Sequence, residues 1–334
     1  MSAKRVSVLG SGSWGTALAT HLKLAGHEVC VWGIVEEDLK NISENQSNPA
    51  YFPGLKLEKG ISTTSDLSEA VKKADCIVMA VPSFAVREVS SKLKTEVPVV
   101  IVSKGLEEGT LKFLSDVVAE ETGKTDRIAV LSGPSFAKEV LEKKTTAVTV
   151  ACKNPETLEF VCNLFHHSYF RTYRSEDLAG VQLGGAVKNV IALAVGICDG
   201  KDMGLNGRAA LITRGLAEIG RLVKAMGGKA ETISGLSGLG DLLLTATGDL
   251  SRNRRVGILL GEGKSLEEAI EQVGQTAEGV VTAPKILELA EKTGVDMPIT
   301  RGVVAMLEGR VGVEEIVKGW LERGGKYEIE DKNA

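Results

Sequence analysis

The sequence predicts an α/β fold: an N-terminal Rossmann-like, doubly wound parallel sheet, followed by an all-α C-terminal half. Three observations predict it. Short continuous apolar runs alternate with helical patterns through the first half, as strands covered on both faces require. A glycine-rich turn, "GSGSWG" at residues 10–15, joins the first apolar run to the first helical pattern. After about Asp177 the strand patterns stop and only helical periodicity remains.

The expected strands, in order, are residues 5–9, 28–32, 76–81, 99–103, 128–131 and 147–151. Helical patterns at 14–25, 67–73, 84–93 and 111–122 lie between most of them. The second half reads as helices at 177–196, 208–226, 251–260, 266–273, 281–293, 300–308 and 313–323. Pro284 then falls near the start of its helix, where proline is tolerated. The organisation expected is a sheet domain over 1–178, a helical domain over 179–325 and a frayed polar tail at 326–334.

Composition narrows the function classes. A formal net charge of -4 with no basic tract gives no general attraction to nucleic acid or anionic lipid. Aromatic residues are only 4 %, too sparse for single-strand stacking platforms. The five cysteines are scattered without a Cys-x-x-Cys pair, as free thiols in a reducing cytoplasm would be. His21, His27, His166 and His167 lack metal-ligand spacing, so no metal is expected. The N-terminus has no signal-peptide core. The longest unbroken apolar run, 190–198, is shorter than the ~20 residues that span a bilayer. A cytoplasmic protein without stable membrane insertion is expected.

In the "GSGSWG" turn, Gly10 allows the tight bend, Gly12 lets a pyrophosphate approach the backbone and Gly15 lets the helix pack closely. The helix that follows offers free N–H groups and its positive dipole end to phosphates. A purely structural glycine turn is the alternative. The later strands end in "VPSF" (81–84), "VSKG" (102–105) and "LSGPSF" (131–136), small or polar segments delivered to one sheet edge. Lys104 brings a cation there, although by itself it also fits a solvated loop lysine.

Three features of the second half carry chemistry. In "QLGGAVKNVIALAVG" (182–196), Lys188 shares its helix face with Gly184, Gly185, Ile191, Ala192 and Val195, none of which pairs with an ammonium. Desolvation there lowers the lysine pKa toward useful proton exchange, and the glycines leave room for ligands beside the ammonium. A side chain snorkelling to water is the alternative. In "GLGDLLLT" (238–245), Asp241 is a carboxylate that could orient Lys188, or simply a first-turn helix acid. In "SRNRRVG" (251–257), Ser251 is a candidate N-cap with Arg252 and Asn253 in the first turn. Cations are unfavourable at that end unless an anion is bound, and arginine's fork suits a phosphate. A solvated arginine-rich turn is the alternative. Together these parts suggest hydride transfer to a phosphorylated carbonyl compound, with a lysine offsetting charge on its oxygen.

The same segments, with "GSGSWGTALA", "NPAYFPG", "SKGLE", "SGPSFAKE", "NGRAALITRGLAEI", "LSGLGDLLLT" and "MPIT", run in order from Val8 to about Thr300. As a set they resemble the NAD(P)-dependent glycerol-3-phosphate dehydrogenases, most of all the bacterial type. The resemblance implies an oxidoreductase that interconverts dihydroxyacetone phosphate and glycerol 3-phosphate, supplies phospholipid synthesis and works as a homodimer. It implies Lys188 as the catalytic lysine and Lys104 as a second active-site lysine. Gly133, Ser135, Asp241, Ser251, Arg252 and Asn253 match substrate-side positions. Gly10, Gly12, Ser13, Trp14, Gly15, Lys104, Ala137, Arg252, Thr276 and Glu278 match cofactor-side positions. The cofactor is NAD or NADP. Where family members often carry a basic or polar residue after the second strand, this chain has Gly33 and Ile34, which tilts the reading to NADH. A 6-phosphogluconate or β-hydroxyacid-type dehydrogenase and a non-catalytic dinucleotide sensor are the rival readings.

Overall fold

The computed structural model describes residues 2–274, 277–322 and 328. Thr276 and the tail at 326–334, Glu328 apart, lie outside the described residues. The chain runs β1 (Arg5–Leu9), α1 (Ser13–Leu24), β2 (Glu28–Trp32), α2 (Glu36–Asn45), β3 (Ser62–Thr64), α3 (Leu67–Val71), β4 (Cys76–Met79), α4 (Val86–Ser91) and β5 (Val99–Ile101). Then come α5 (Leu114–Thr122), β6 (Ile128–Ser132), α6 (Ala137–Leu141), β7 (Thr146–Ala151), α7 (Pro155–Phe165) and β8 (Phe170–Ser175). Helices follow: α8 (Leu178–Gly200), α9 (Gly204–Ala225), α10 (Asp241–Thr247), α11 (Arg252–Gly261), α12 (Leu266–Val273), α13 (Glu278–Lys292), α14 (Pro298–Leu307) and α15 (Val313–Leu321).

The eight described strands form one sheet in the order β3-β2-β1-β4-β5-β6-β7-β8. Pairing is parallel except between β6 and β7. The doubly wound, mostly parallel sheet is the one expected, and its single antiparallel pair has a physical reason. The link between β6 and β7 contains only the five-residue α6. A helix of that length rises ~7.5 Å, too little to return the chain along a ~17 Å strand. Strand order reverses between β1 and β4, so the ligand crevice opens at their carboxyl ends.

Helix α8 is the axis of the helical half. Every residue from Gly180 to Cys198 is buried, because α9, α10, α11 and α13 all pack on it. By length and composition it is apolar enough to cross a membrane, yet its apolar window lies wholly inside the protein. The unbroken-run criterion therefore understated it: the small residues and Lys188 interrupt the run without making the helix polar. Its contact with α11 is backbone against backbone. A Cβ on Gly196 would stand 2.2 Å from Arg254 O, and one on Gly257 2.3 Å from Leu193 O.

Helix α13 starts at Glu278, three residues before the expected 281, because Asn253 Oδ1 accepts from Gly279 N (2.8 Å) and secures its first turn. Pro284 is therefore inside the helix, where its ring removes the N–H that would bond Val280 O.

His21 on α1 ties the first helix to the far end of the sheet. Its Nε2 donates to Phe165 O (2.8 Å), which leaves Nδ1 to accept from Tyr169 Oη (2.8 Å). Burial pushes its pKa down to about 4, with the Phe165 hydrogen bond opposing and the charges of His167 and His27 adding. The unfolded chain thus binds the proton first. Stability is fully present above pH ~6.5 and is lost as pH falls toward 4, by up to ~3 kcal/mol. Urea unfolding at pH 7 and pH 4.5 should show a smaller drop for His21→Gln than for wild type; equal drops would remove His21 from the acid limb.

Candidate active site

The glycine-rich turn leaves β1 with Gly10 at φ +125°, and Gly10 N donates to Trp32 O (2.8 Å). A Cβ on Gly10 would stand 2.6 Å from Ala80 O, so the turn lies flat on the end of β4. A Cβ on Gly15 would meet Gly10 O at 2.0 Å, which shows how tightly α1 closes over the turn. Gly12 differs: a Cβ there meets nothing within 4 Å. No side chain caps α1 at Gly12, so the N–H groups of Ser13 and Trp14 face outward from its first turn. The Trp14 ring packs on the sheet's core, which leaves its backbone as the part that can meet a ligand. Asn48 holds the turn from beneath, donating to Ser11 O (2.9 Å) and Thr16 Oγ1 (3.0 Å).

At the same sheet edge, Lys104 follows β5 and turns at Gly105 (φ +127°). Its Nζ meets Asp241 Oδ2 at 2.6 Å. The other Asp241 oxygen accepts from Lys188 Nζ, which also donates to Thr245 Oγ1 (2.9 Å). Thr245 Oγ1 spends its own proton on Asp241 O (2.6 Å), so only its lone pairs face the lysine. One carboxylate therefore bridges two ammoniums from opposite halves of the chain. Lys188 is 7 % exposed and Asp241 1 %, so the lysine does not snorkel.

A π turn, Leu236–Gly240, delivers Asp241 to this position. It seats directly on α8: a Cβ on Gly184 would stand 2.4 Å from Ser237 O. The space beside Gly185 is filled by Ser132 Oγ, 2.7 Å from a Cβ there. The expectation that these glycines leave room for ligands is thus corrected. They let the π turn and β6 approach the lysine helix.

Burial pushes the Lys188 pKa down to about 7; the Asp241 charge resists and the Lys104 charge assists. Lys104 is also lowered by burial, but Asp241 outweighs this and its net shift is upward. The more deeply buried Lys188 gives up the first proton of the coupled group.

A second cluster lies at the start of α11. Ser251 is the N-cap, its Oγ accepting from Arg254 N (3.2 Å). Arg254 is spent on Asp199 and Asp249 (2.8 and 2.9 Å). Arg252, in the first turn, forms no ion pair among the described residues, so its guanidinium is available to an anion. Asn253 is mostly committed: it donates to Asn189 Oδ1 (3.0 Å) and accepts from Gly279 N, leaving one N–H. Asn189 in turn donates to Glu278 Oε2 (3.2 Å). This buried chain links the residue after Lys188 to the starts of α11 and α13.

Gly133 (φ +144°) follows β6 and packs against β7, where a Cβ would stand 3.0 Å from Val148 Cα. Ser135 Oγ donates to Gly133 O (2.9 Å), and Ala137 opens α6. Thr245 and Asn189 were missed as site residues. Thr245 lies one helical turn beyond Asp241 and Asn189 directly follows Lys188, but neither position signals a partner in sequence. Among the described residues, no group of three or more His, Cys, Asp or Glu gathers to hold a metal.

Comparison with known proteins bears on this arrangement. Sequence profiles described as NAD-dependent glycerol-3-phosphate dehydrogenase N-terminus and C-terminus match residues 5–158 and 177–318. A Stenotrophomonas maltophilia protein named glycerol-3-phosphate dehydrogenase [NAD(P)+] is 44 % identical over 99 % of this chain and 98 % of its own. A Thioalkalivibrio sulfidiphilus protein of the same name is 49 % identical over 98 % of this chain and 100 % of its own. The crystal structure of glycerol-3-phosphate dehydrogenase from Coxiella burnetii superposes with a TM-score of 0.92 at 39 % identity, covering 96 % of this chain and 99 % of that one. The chain belongs to the NAD-dependent glycerol-3-phosphate dehydrogenase family.

Proposed function

We propose that the chain catalyses the reversible NAD(P)H-dependent reduction of dihydroxyacetone phosphate to sn-glycerol 3-phosphate. The observation that carries the chemistry is the Lys104–Asp241–Lys188 bridge at the carboxyl edge of the sheet. The open approach over Gly12 and the uncapped start of α1 suit a dinucleotide pyrophosphate. When bound, the reduced nicotinamide supplies the hydride. Lys188 holds a proton at Nζ and gives it to the carbonyl oxygen as negative charge builds there. Lys104, the more basic of the two, stays charged and polarises that oxygen. Asp241 keeps both amines aimed at one point. The buried Lys188 exchanges its proton near neutral pH, which suits both directions of reaction.

Arg252 holds the substrate phosphate, helped by the remaining Asn253 N–H and the Ser251 hydroxyl. Phosphate binding far from the reacting carbon then positions the carbonyl. Arg252→Ala is expected to raise KM for dihydroxyacetone phosphate by about a hundredfold or more, the loss of a charge-assisted contact of roughly 3 kcal/mol. Steady-state kinetics with and without the substrate phosphate check this. Wild type reducing unphosphorylated dihydroxyacetone equally well would sink the anion assignment. The same reading takes the protein as a cytoplasmic homodimer feeding phospholipid synthesis. Initial rates with dihydroxyacetone phosphate and either nicotinamide cofactor test the reaction itself; no turnover with either would reject it.

A further inference from the structure

We infer that this chain selects NADH over NADPH, through the segment that joins β2 to α2. The inference rests on the cofactor reading above. Strand β2 lies beside β1, and its last residue, Trp32, is bonded through its carbonyl to Gly10 of the phosphate turn. In sheets of this kind the chain leaving the second strand meets the adenosine ribose. A carboxylate there favours a free 2′-hydroxyl, and a cation favours a 2′-phosphate.

Here that segment reads Gly33-Ile34-Val35, followed by Glu36, Glu37 and Asp38 in the first turn of α2. No Lys or Arg occurs before Lys40, one turn further on. Ile34 is 83 % exposed, an isobutyl-sized apolar surface at the place where a cation would grip a phosphate. Gly33 fixes the spacing, since a Cβ there would stand 2.7 Å from Ser11 Oγ. Asp38 is buried against the same turn, with Ser11 Oγ donating to its Oδ2 at 3.4 Å. Trp32 Nε1 donates to Ser65 O (3.0 Å), which draws in the loop carrying Asp66. The segment after β4 contributes the exposed Phe84.

One feature works the other way. The start of α2 carries a dipole end of roughly half a positive charge. Two exposed carboxylates, Glu36 and Glu37, occupy that same turn beside the buried Asp38, so a phosphate of about two negative charges meets net repulsion. A ribose with both hydroxyls free meets acceptors instead.

The test is equilibrium binding to the protein without substrate, read by energy transfer from tryptophan to the reduced nicotinamide. NADH is expected to bind at least about tenfold more tightly than NADPH at low salt, and the gap should narrow as salt screens the carboxylates. Ile34→Arg, a change at an exposed position, should move the NADH:NADPH affinity ratio at least about tenfold toward NADPH. Equal or tighter NADPH binding by wild type overturns the inference and leaves the dehydrogenase reading standing. An unmoved ratio in Ile34→Arg overturns the assignment to this segment. Binding of neither cofactor overturns the dehydrogenase reading as well.

Discussion

Replacing Lys188 with methionine is expected to lower kcat about a thousandfold or more, within the range for loss of a positioned proton donor. Folding and dinucleotide binding should survive. Methionine fills the volume of the lysine stem on α8, and Asp241 keeps its second partner, Lys104, at 2.6 Å. No buried carboxylate is therefore left unpaired, which separates this substitution from a general structural lesion. The pH profile gives a second readout. Reduction needs the protonated amine, and burial pushes the Lys188 pKa down to about 7. The kcat/KM for reduction should fall as pH rises through about 7, and that for oxidation should rise over the same interval. Turnover of Lys188→Met within tenfold of wild type would remove the lysine from the chemistry.

Asp241→Ala has the second large expected effect, and it acts on stability as well as rate. It leaves two ammoniums facing each other with their shared counter-charge gone, at a cost of about 3–5 kcal/mol. The remaining repulsion favours neutral Lys188, so the proton donor is lost with the fold's stability. Adding Lys188→Met to Asp241→Ala removes one ammonium and should return much of the stability without returning activity. A urea double-mutant cycle measures that coupling. A single-variant loss below about 1 kcal/mol would show that the three groups do not act as a charged unit.

The parts of the fold legible in the sequence are those whose signal is local. Strands β1 and β2 were read to the residue because each is a continuous run bounded by glycine or charge. Strand β3, Ser-Thr-Thr, is three polar residues at the sheet edge and carries no pattern to read. Strand β8 was missed for a related reason: "FRTYRS" buries little besides Phe170. In the site, the glycine turn and Lys188 stood out because each breaks a local rule, whereas Lys104 stood out only through the small, polar strand ends beside it. The bridge between the two lysines did not stand out. Asp241 is 53 residues from Lys188 and 137 from Lys104, and the packing of the π turn and α10 on α8, at the end of β5, brings them together. Gly184 and Gly185 were noticed for the right reason, a need for small size, but assigned the wrong neighbour. Sequence shows that a side chain is absent; it does not show what fills the space.

The burial of α8 also has a consequence for synthesis. Its apolar surface is covered by α9, α10, α11, α13 and α14, all of which follow it in the chain. When a ribosome has delivered residue 200, the nascent protein holds a helix of membrane-spanning length with most of its covering still unmade. For roughly the next hundred residues, some five to twenty seconds of translation, that helix depends on the tunnel or a chaperone for shelter. A message truncated shortly after this point would yield a product prone to aggregate or to enter lipid, although its dinucleotide-binding sheet is complete.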